Sequence, residues 1–227
     1  MSKVELTPRL EEAEQRLDLG GIGWDRYVTI SDALPERRGV RLAYLDGSLT
    51  FLTLSRRHDW FVDQLDTIVK VVALACDISL DVAGSATLRR EDRGAGVEGD
   101  RTYYLGASAE LMGGPIDIDL TTQPPPDLAI EVEVTHPADK VMRIYARLGI
   151  PEVWRIDAGR ETVGFWVLDE GGAYQPAARS RGLPILGPED VLAQLYLADE
   201  FRSFNRWHAQ LTQWVRDVIL PRIGREP

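Results

Sequence analysis

Residues 124 to 149 read PPPDLAIEVEVTHPADKVMRIYARLG, and within them Glu131 and Glu133 stand two apart with Lys140 close behind. Apolar and polar residues alternate through DLAIEVEV. This predicts a strand with Leu128, Ile130, Val132 and Val134 on one face and Asp127, Ala129, Glu131 and Glu133 on the other. Side chains two apart on one strand face lie roughly 6.5 to 7 Å apart, so both carboxylates can approach a common cation. Without something positive between them they repel. Mg2+ or Mn2+ suits such a place, because a hard cation takes oxygen ligands and is often held by one or two carboxylates plus substrate phosphate. A third carboxylate, Asp100, follows GVEG at the edge of another short predicted strand. Helical side chains tilt toward the helix N-terminus, so Lys140, in the first turn after the strand, points back over the strand's end. Acids and a lysine around a divalent ion can hydrolyse a phosphodiester. The ion lowers the pKa of bound water and neutralises phosphate charge, and the lysine orients that water or stabilises the developing charge.

The elements that must carry these residues follow from periodicity. In RLAYLDGSLTFLTL, Asp46-Gly47 between alternating runs predicts a two-residue hairpin. Apolar residues at helical spacing from about 57 to 76 predict a long helix with His58 near its start. ISLDVAGSATLRR reads as a strand or strand pair, REDRGAGVEGD as a charged loop, RTYYLG as a short strand, and 106–126 as a stiff connection. A helix capped by Thr135 or His136 is predicted from near Pro137 to Gly149, with the core stripe Val141, Ile144, Tyr145 and Leu148. EVWRID and TVGFWVL form a second hairpin, and two helices follow in 186–227. The apolar stripe of the second, Phe204, Trp207, Leu211, Trp214 and Val215, could cover the core or a partner, and the core is the favoured expectation. TPRLEEAEQRLDLGG reads as an arm helix from Thr7-Pro8 to Gly20-Gly21.

The order describes an α/β or α+β fold, a mixed sheet flanked by helices. It divides into an N-terminal arm (1–30), a core (31–185) and a C-terminal helical extension (186–227). The lone Cys76 excludes an internal disulfide, and with no signal-peptide pattern in the first thirty residues a cytoplasmic protein is expected. No apolar run approaches the roughly 20 residues of a membrane span. With 26 basic and 36 acidic residues the net charge is −10, which argues against binding nucleic acid by bulk attraction and leaves room for a local or metal-mediated contact.

LAYLDGSLTFLT, RHDWFV, GVEGDRTYYL, PDLAIEVEVTHP, DK and YARLGIPEVWRID together, from about residue 40 to 170, resemble the Uma-two family of endonucleases with the PD-(D/E)XK restriction-endonuclease-like fold. The resemblance implies Asp100 as the aspartate of the PD half and Glu131 as the acid of the second half. Two positions depart from the pattern. Gly99 stands where the family usually has proline, and Glu133 where the general motif has lysine. Lys140 then serves as a migrated lysine, and Glu133 as an extra metal ligand or a partner for Lys140. His58 matches a family histidine that could orient the site. His136 reads as a cap, and Arg143 and Arg147 as a solvated stripe with Lys140. The expected activity is a Mg2+- or Mn2+-dependent endonuclease acting on nucleic acid, DNA in preference to RNA, as a homodimer by analogy. The rival is a catalytically silent nuclease-fold module that binds nucleic acid or protein. A paired-carboxylate glycosidase is disfavoured, because acids two apart on one face leave little room to flank a sugar ring.

Overall fold

The computed structural model describes residues 14–34, 39–113 and 118–223. Two sheets and six α-helices among these residues make an α+β fold. The first sheet is antiparallel: β1 (Arg16–Leu19), β3 (Ser48–Thr53), β2 (Val40–Leu45), β6 (Ala95–Glu98) and β5 (Thr87–Arg90), in that order. The second is mixed: β11 (Tyr174–Ala177), β10 (Thr162–Leu168), β9 (Glu152–Asp157), β8 (Leu128–Glu133), β7 (Arg101–Leu105) and β4 (Leu80–Gly84). Only β8 and β9 run parallel, joined by helix α4 (Asp139–Leu148).

Local chemistry explains the readable parts. Asp46 and Gly47 both take positive φ, 46° and 84°, the backbone that a tight hairpin between β2 and β3 demands. Helix α2 (Arg56–Ala75) begins at Ser55, whose side chain accepts from the His58 amide, and its stripe Leu65, Ile68, Val69 and Val72 is fully buried. That stripe packs on Leu128, Ile130 and Val132 of β8. Helices α5 (Pro188–Phe201) and α6 (Phe204–Trp214) join the same core through Val191, Leu195, Trp207 and Leu211, so the C-terminal stripe covers the core as expected, with Phe204 left exposed. On the other side of β8, helix α4 and the first sheet close over Ala129 and Val153. Strand β8 is therefore buried along its whole length, on the face of Glu131 and Glu133 as well as on the apolar one.

Several expectations are corrected. Residues 16–19 form an edge strand on β3, and helix α1 (Trp24–Ala33) follows Gly20-Gly21, so the arm helix does not extend through Gly20; its predicted start at Thr7 lies outside the described residues. The predicted loop from 90 to 100 contains β6, and β4 and β5 belong to different sheets. A glycine suits β6, because a side chain at Gly96 would collide with the Tyr27 hydroxyl. The connection after β7 holds helix α3 (Ala107–Met112), with Ala109 and Met112 buried beside Tyr104.

The α2–β8 contact gives a test. Leu65→Ala should lower the unfolding free energy by about 2 to 5 kcal/mol in urea titration. Leu74→Ala on the same helix, 84% exposed, should stay within about 0.5 kcal/mol. Equal losses would contradict the assigned helix face.

Candidate active site

Asp100 lies where the chain leaves the first sheet and enters the second, between Glu98 at the end of β6 and Arg101 at the start of β7. Arg101 pairs antiparallel with Ile130, so one rung further Asp100 stands opposite Glu131. Side chains at directly opposed positions have Cβ atoms about 4.5 to 5.5 Å apart. Both carboxylates are buried, 4% and 7% exposed, and line one pocket with Glu98, Glu133, Arg41 and Lys140. Asp100 and Glu131 thus line the same pocket.

Each acid has a distinct set of partners. Asp100 Oδ2 accepts from the Val132 amide and from His58 Nε2, both at 2.9 Å, and Arg41 Nε stands 3.9 Å from Oδ1. His58, at the start of α2, thus reaches the site. Burial alone would push its imidazole down, but Asp100, Glu14 and Asp59 outweigh that and hold it above its ordinary value. Glu133 is gripped by Arg155, through Nε and through a second bond of 3.1 Å, and the same guanidinium lies 3.0 Å from Asp139. Arg155 on β9 is the register partner of Glu131, so a diagonal cross-strand pair supplies the positive charge beside the acids.

Glu131 receives much less. Its Oε2 accepts from the Tyr145 hydroxyl at 3.1 Å. Burial first, then the charge of Asp100, and then that of Glu133 push its carboxyl well above the usual range, against the Tyr145 bond and Arg41. Burial and mutual repulsion therefore oppose carrying both charges at once. Tyr145 also accounts for the departure from proline at 99. A Cβ added to Gly99 would lie 2.5 Å from the Tyr145 oxygen, so the bare backbone is what lets the hydroxyl reach Glu131.

Lys140 lines the pocket but does not pair with Glu133. Its Nζ donates to Ser48 O at 2.9 Å, Ser48 Oγ at 3.1 Å and Thr50 Oγ1 at 2.8 Å, all on β3. Burial pushes it down to about 8, with Asp18 opposing and Arg16 and Arg143 assisting. Arg143 and Arg147 are exposed, and Arg147 pairs with Asp46. The predicted caps are also redirected. Helix α4 begins at Asp139 without a side-chain cap; Thr135 donates through its amide and hydroxyl to Glu14 Oε2, and His136 Nε2 lies 3.0 Å from the Glu14 carbonyl. Glu14 is a buried acid that sequence reasoning missed. Burial raises its carboxyl, His58 and the Thr135 amide oppose this, and its Oε1 has no hydrogen-bond partner among the described residues.

Among the described residues no group of three or more His, Cys, Asp or Glu side chains is ready-made to hold a metal ion. The donor chemistry still fits a hard cation. Asp100 and Glu131 offer buried carboxylate oxygens in a shared pocket, and such ions commonly take one or two protein carboxylates and complete their shell with water and phosphate. Glu133, committed to Arg155, fits the role of ligand less well.

Two measurements probe this geometry. Tyr145→Phe should cost roughly 1 to 3 kcal/mol of stability by leaving a buried carboxyl short of a donor. Gly99→Ala should lose a similar amount although it adds apolar surface, and an unchanged urea midpoint would contradict the close approach of Tyr145. For Lys140, the unfolded chain holds its proton up to about the ordinary 10.5 and the folded chain only to about 8, so stability should rise with pH between those values. Lys140→Met should flatten that rise in pH-dependent unfolding; an unaltered slope would contradict the placement of Lys140.

No curated protein matches the chain. The family described as "Uma2: Putative restriction endonuclease" matches residues 24–200, a span that contains Arg41, His58, Asp100, Glu131, Glu133, Lys140, Tyr145 and Arg155. With an α+β fold of the expected kind and a match over most of its length, the chain belongs to the Uma2 family.

Proposed function

We propose that the protein is a metal-dependent endonuclease that hydrolyses phosphodiester bonds, with DNA as its substrate and Mg2+ or Mn2+ as its ion. The observation that carries this reading is the opposed pair Asp100 and Glu131, two buried carboxyls in one pocket where burial and their mutual repulsion oppose a double charge that a cation would offset. The ion, when bound by these two carboxylates, would acidify a water and neutralise charge on the phosphate. His58 holds Asp100 in its orientation, and Tyr145 holds Glu131. Lys140, fixed by Ser48 and Thr50, and Arg41 set positive charge at the pocket wall, where a phosphate oxygen can be met. In the reaction the water oxygen forms a bond to phosphorus as the bond to the sugar oxygen breaks. The water's proton passes to solvent, and the leaving oxygen regains one. We infer a cytoplasmic homodimer by analogy with nucleases that cut both strands.

A second reading, a silent module that binds nucleic acid or protein, draws on the same pairs. Glu133 is tied to Arg155 and Asp100 to His58, as in a structural ion-pair network, and Lys140 is held by uncharged groups of β3.

Plasmid nicking separates the two readings. The pure protein should nick with Mn2+ or Mg2+, lose activity in EDTA, and fall at least about 100-fold in Glu131→Ala, since removal of a single stabilising group commonly costs 10²–10³ in rate. Cleavage that survives both EDTA and Glu131→Ala would overturn the mechanism, and no cleavage of any nucleic acid would favour the silent module. Gel filtration tests the dimer.

A further inference from the structure

Arg16, Arg41 and Lys140 all line the acid pocket, and two of them are already engaged. Arg16 donates to Asp18 through Nε at 2.9 Å and Nη2 at 3.3 Å. Lys140 sets the three N–H groups of its ammonium against three acceptors on β3. Arg41 differs. Its Nε is buried without a hydrogen-bond partner among the described residues, and it stands 3.9 Å from Asp100 Oδ1, an ion-pair distance too long for a hydrogen bond. We propose that Arg41 is the catalytic cation of this site, its guanidinium donating to a non-bridging oxygen of the scissile phosphate and stabilising the charge that develops there. The proposal rests on the nuclease reading and moves to Arg41 the part that the sequence suggested for Lys140.

The fold aims Arg41 at this place. Ala43 and Leu45 pack under α4 with Ala129 and Val153, so Arg41, on the same face of β2, projects toward the second sheet. In the β2–β6 register Ala43 faces Val97, and two residues back Arg41 comes opposite Gly99, next to Asp100. The Leu42 amide donates to Glu98 Oε2 at 3.2 Å, which carries the contact between these strands to that end. Asp100 is turned to match. Its bonds from Val132 and His58 both fall on Oδ2, while Oδ1 faces Arg41. Arg155, by comparison, spends its fork on Glu133 and Asp139. A buried donor left without an acceptor destabilises the fold, and a phosphate oxygen supplies one. The guanidinium is permanently charged, so it exchanges no proton in the reaction, and its planar fork matches two phosphate oxygens.

The test compares the full-length wild type with Arg41→Ala and Arg41→Lys by Mn2+-dependent plasmid nicking, Mn2+ calorimetry and thermal melting. Nicking is repeated at constant ionic strength with guanidinium chloride too dilute to unfold the protein. Arg41→Ala should nick at least about 100-fold more slowly, the usual loss for one group that stabilises developing charge. Arg41→Lys, which keeps the charge and loses the fork, should fall between it and wild type. Added guanidinium should restore part of the rate of Arg41→Ala and leave wild type unchanged. Mn2+ should bind Arg41→Ala at least as tightly as wild type, because a positive charge beside the acids is gone. Nicking by Arg41→Ala at the wild-type rate would overturn the role of Arg41 and leave the nuclease reading standing. Slow nicking by Arg41→Ala with weakened Mn2+ binding and no rescue would make Arg41 a structural support and overturn its catalytic role. No nicking by any of the three proteins with any metal would overturn the nuclease reading itself and this proposal with it.

Discussion

Two carboxylates face each other across adjacent antiparallel strands in a place shut off from most water, and the surrounding structure is arranged around that repulsion. Buried charges normally require an opposite charge and hydrogen bonds to offset their lost hydration. His58 and the Val132 amide serve Asp100, while Arg155 serves the neighbouring Glu133. Among the described residues Glu131 has a neutral tyrosine as its hydrogen-bond partner. An apolar residue would sit more easily among Ala129, Val153 and the stripe of α4. A carboxylate kept there is what the proposed cation site would require.

The positions of the acids follow from topology. Because the chain crosses from one sheet to the other at Gly99-Asp100, Asp100 arrives at the last rung of β7 beside β8. Helix α4 then returns over the same face, bringing Lys140 to the pocket wall beside β3 and the Tyr145 hydroxyl to Glu131. One crossing and one helix thus assemble the site. Helix α2, on the other face of β8, contributes only its first turn, through His58.

Much of this was legible in the chain. Period-two alternation marked β8, and period 3.6 marked α2, because both bury one continuous apolar stripe. Asp46-Gly47 marked its hairpin because few other pairs adopt that backbone. The missed elements lack such signals. Strand β1 is four residues long and exposed throughout, held by its pairing with β3, and β6 is a four-residue strand containing a glycine. At the site, the meeting of Asp100 and Glu131 was readable from motif order, but their partners were not. Arg155 becomes the counter-charge through the β8–β9 register, and Glu14 arrives through tertiary packing, neither of which the local sequence encodes. Tyr145 carried a clue. A tyrosine in a core stripe must satisfy its hydroxyl, and the glycine at 99 leaves the space in which it does so.

The central claim is that Glu131 and Asp100 await a cation. The most direct measurement is Mn2+ titration calorimetry on wild type and Glu131→Gln, with the melting temperature of each protein taken without metal. The account predicts saturable binding to the wild type, at least tenfold weaker binding to the variant, and a higher metal-free melting temperature for the variant, because a neutral amide relieves the opposed charges. Absence of saturable binding to the wild type, or equal binding and lower stability in Glu131→Gln, would contradict it.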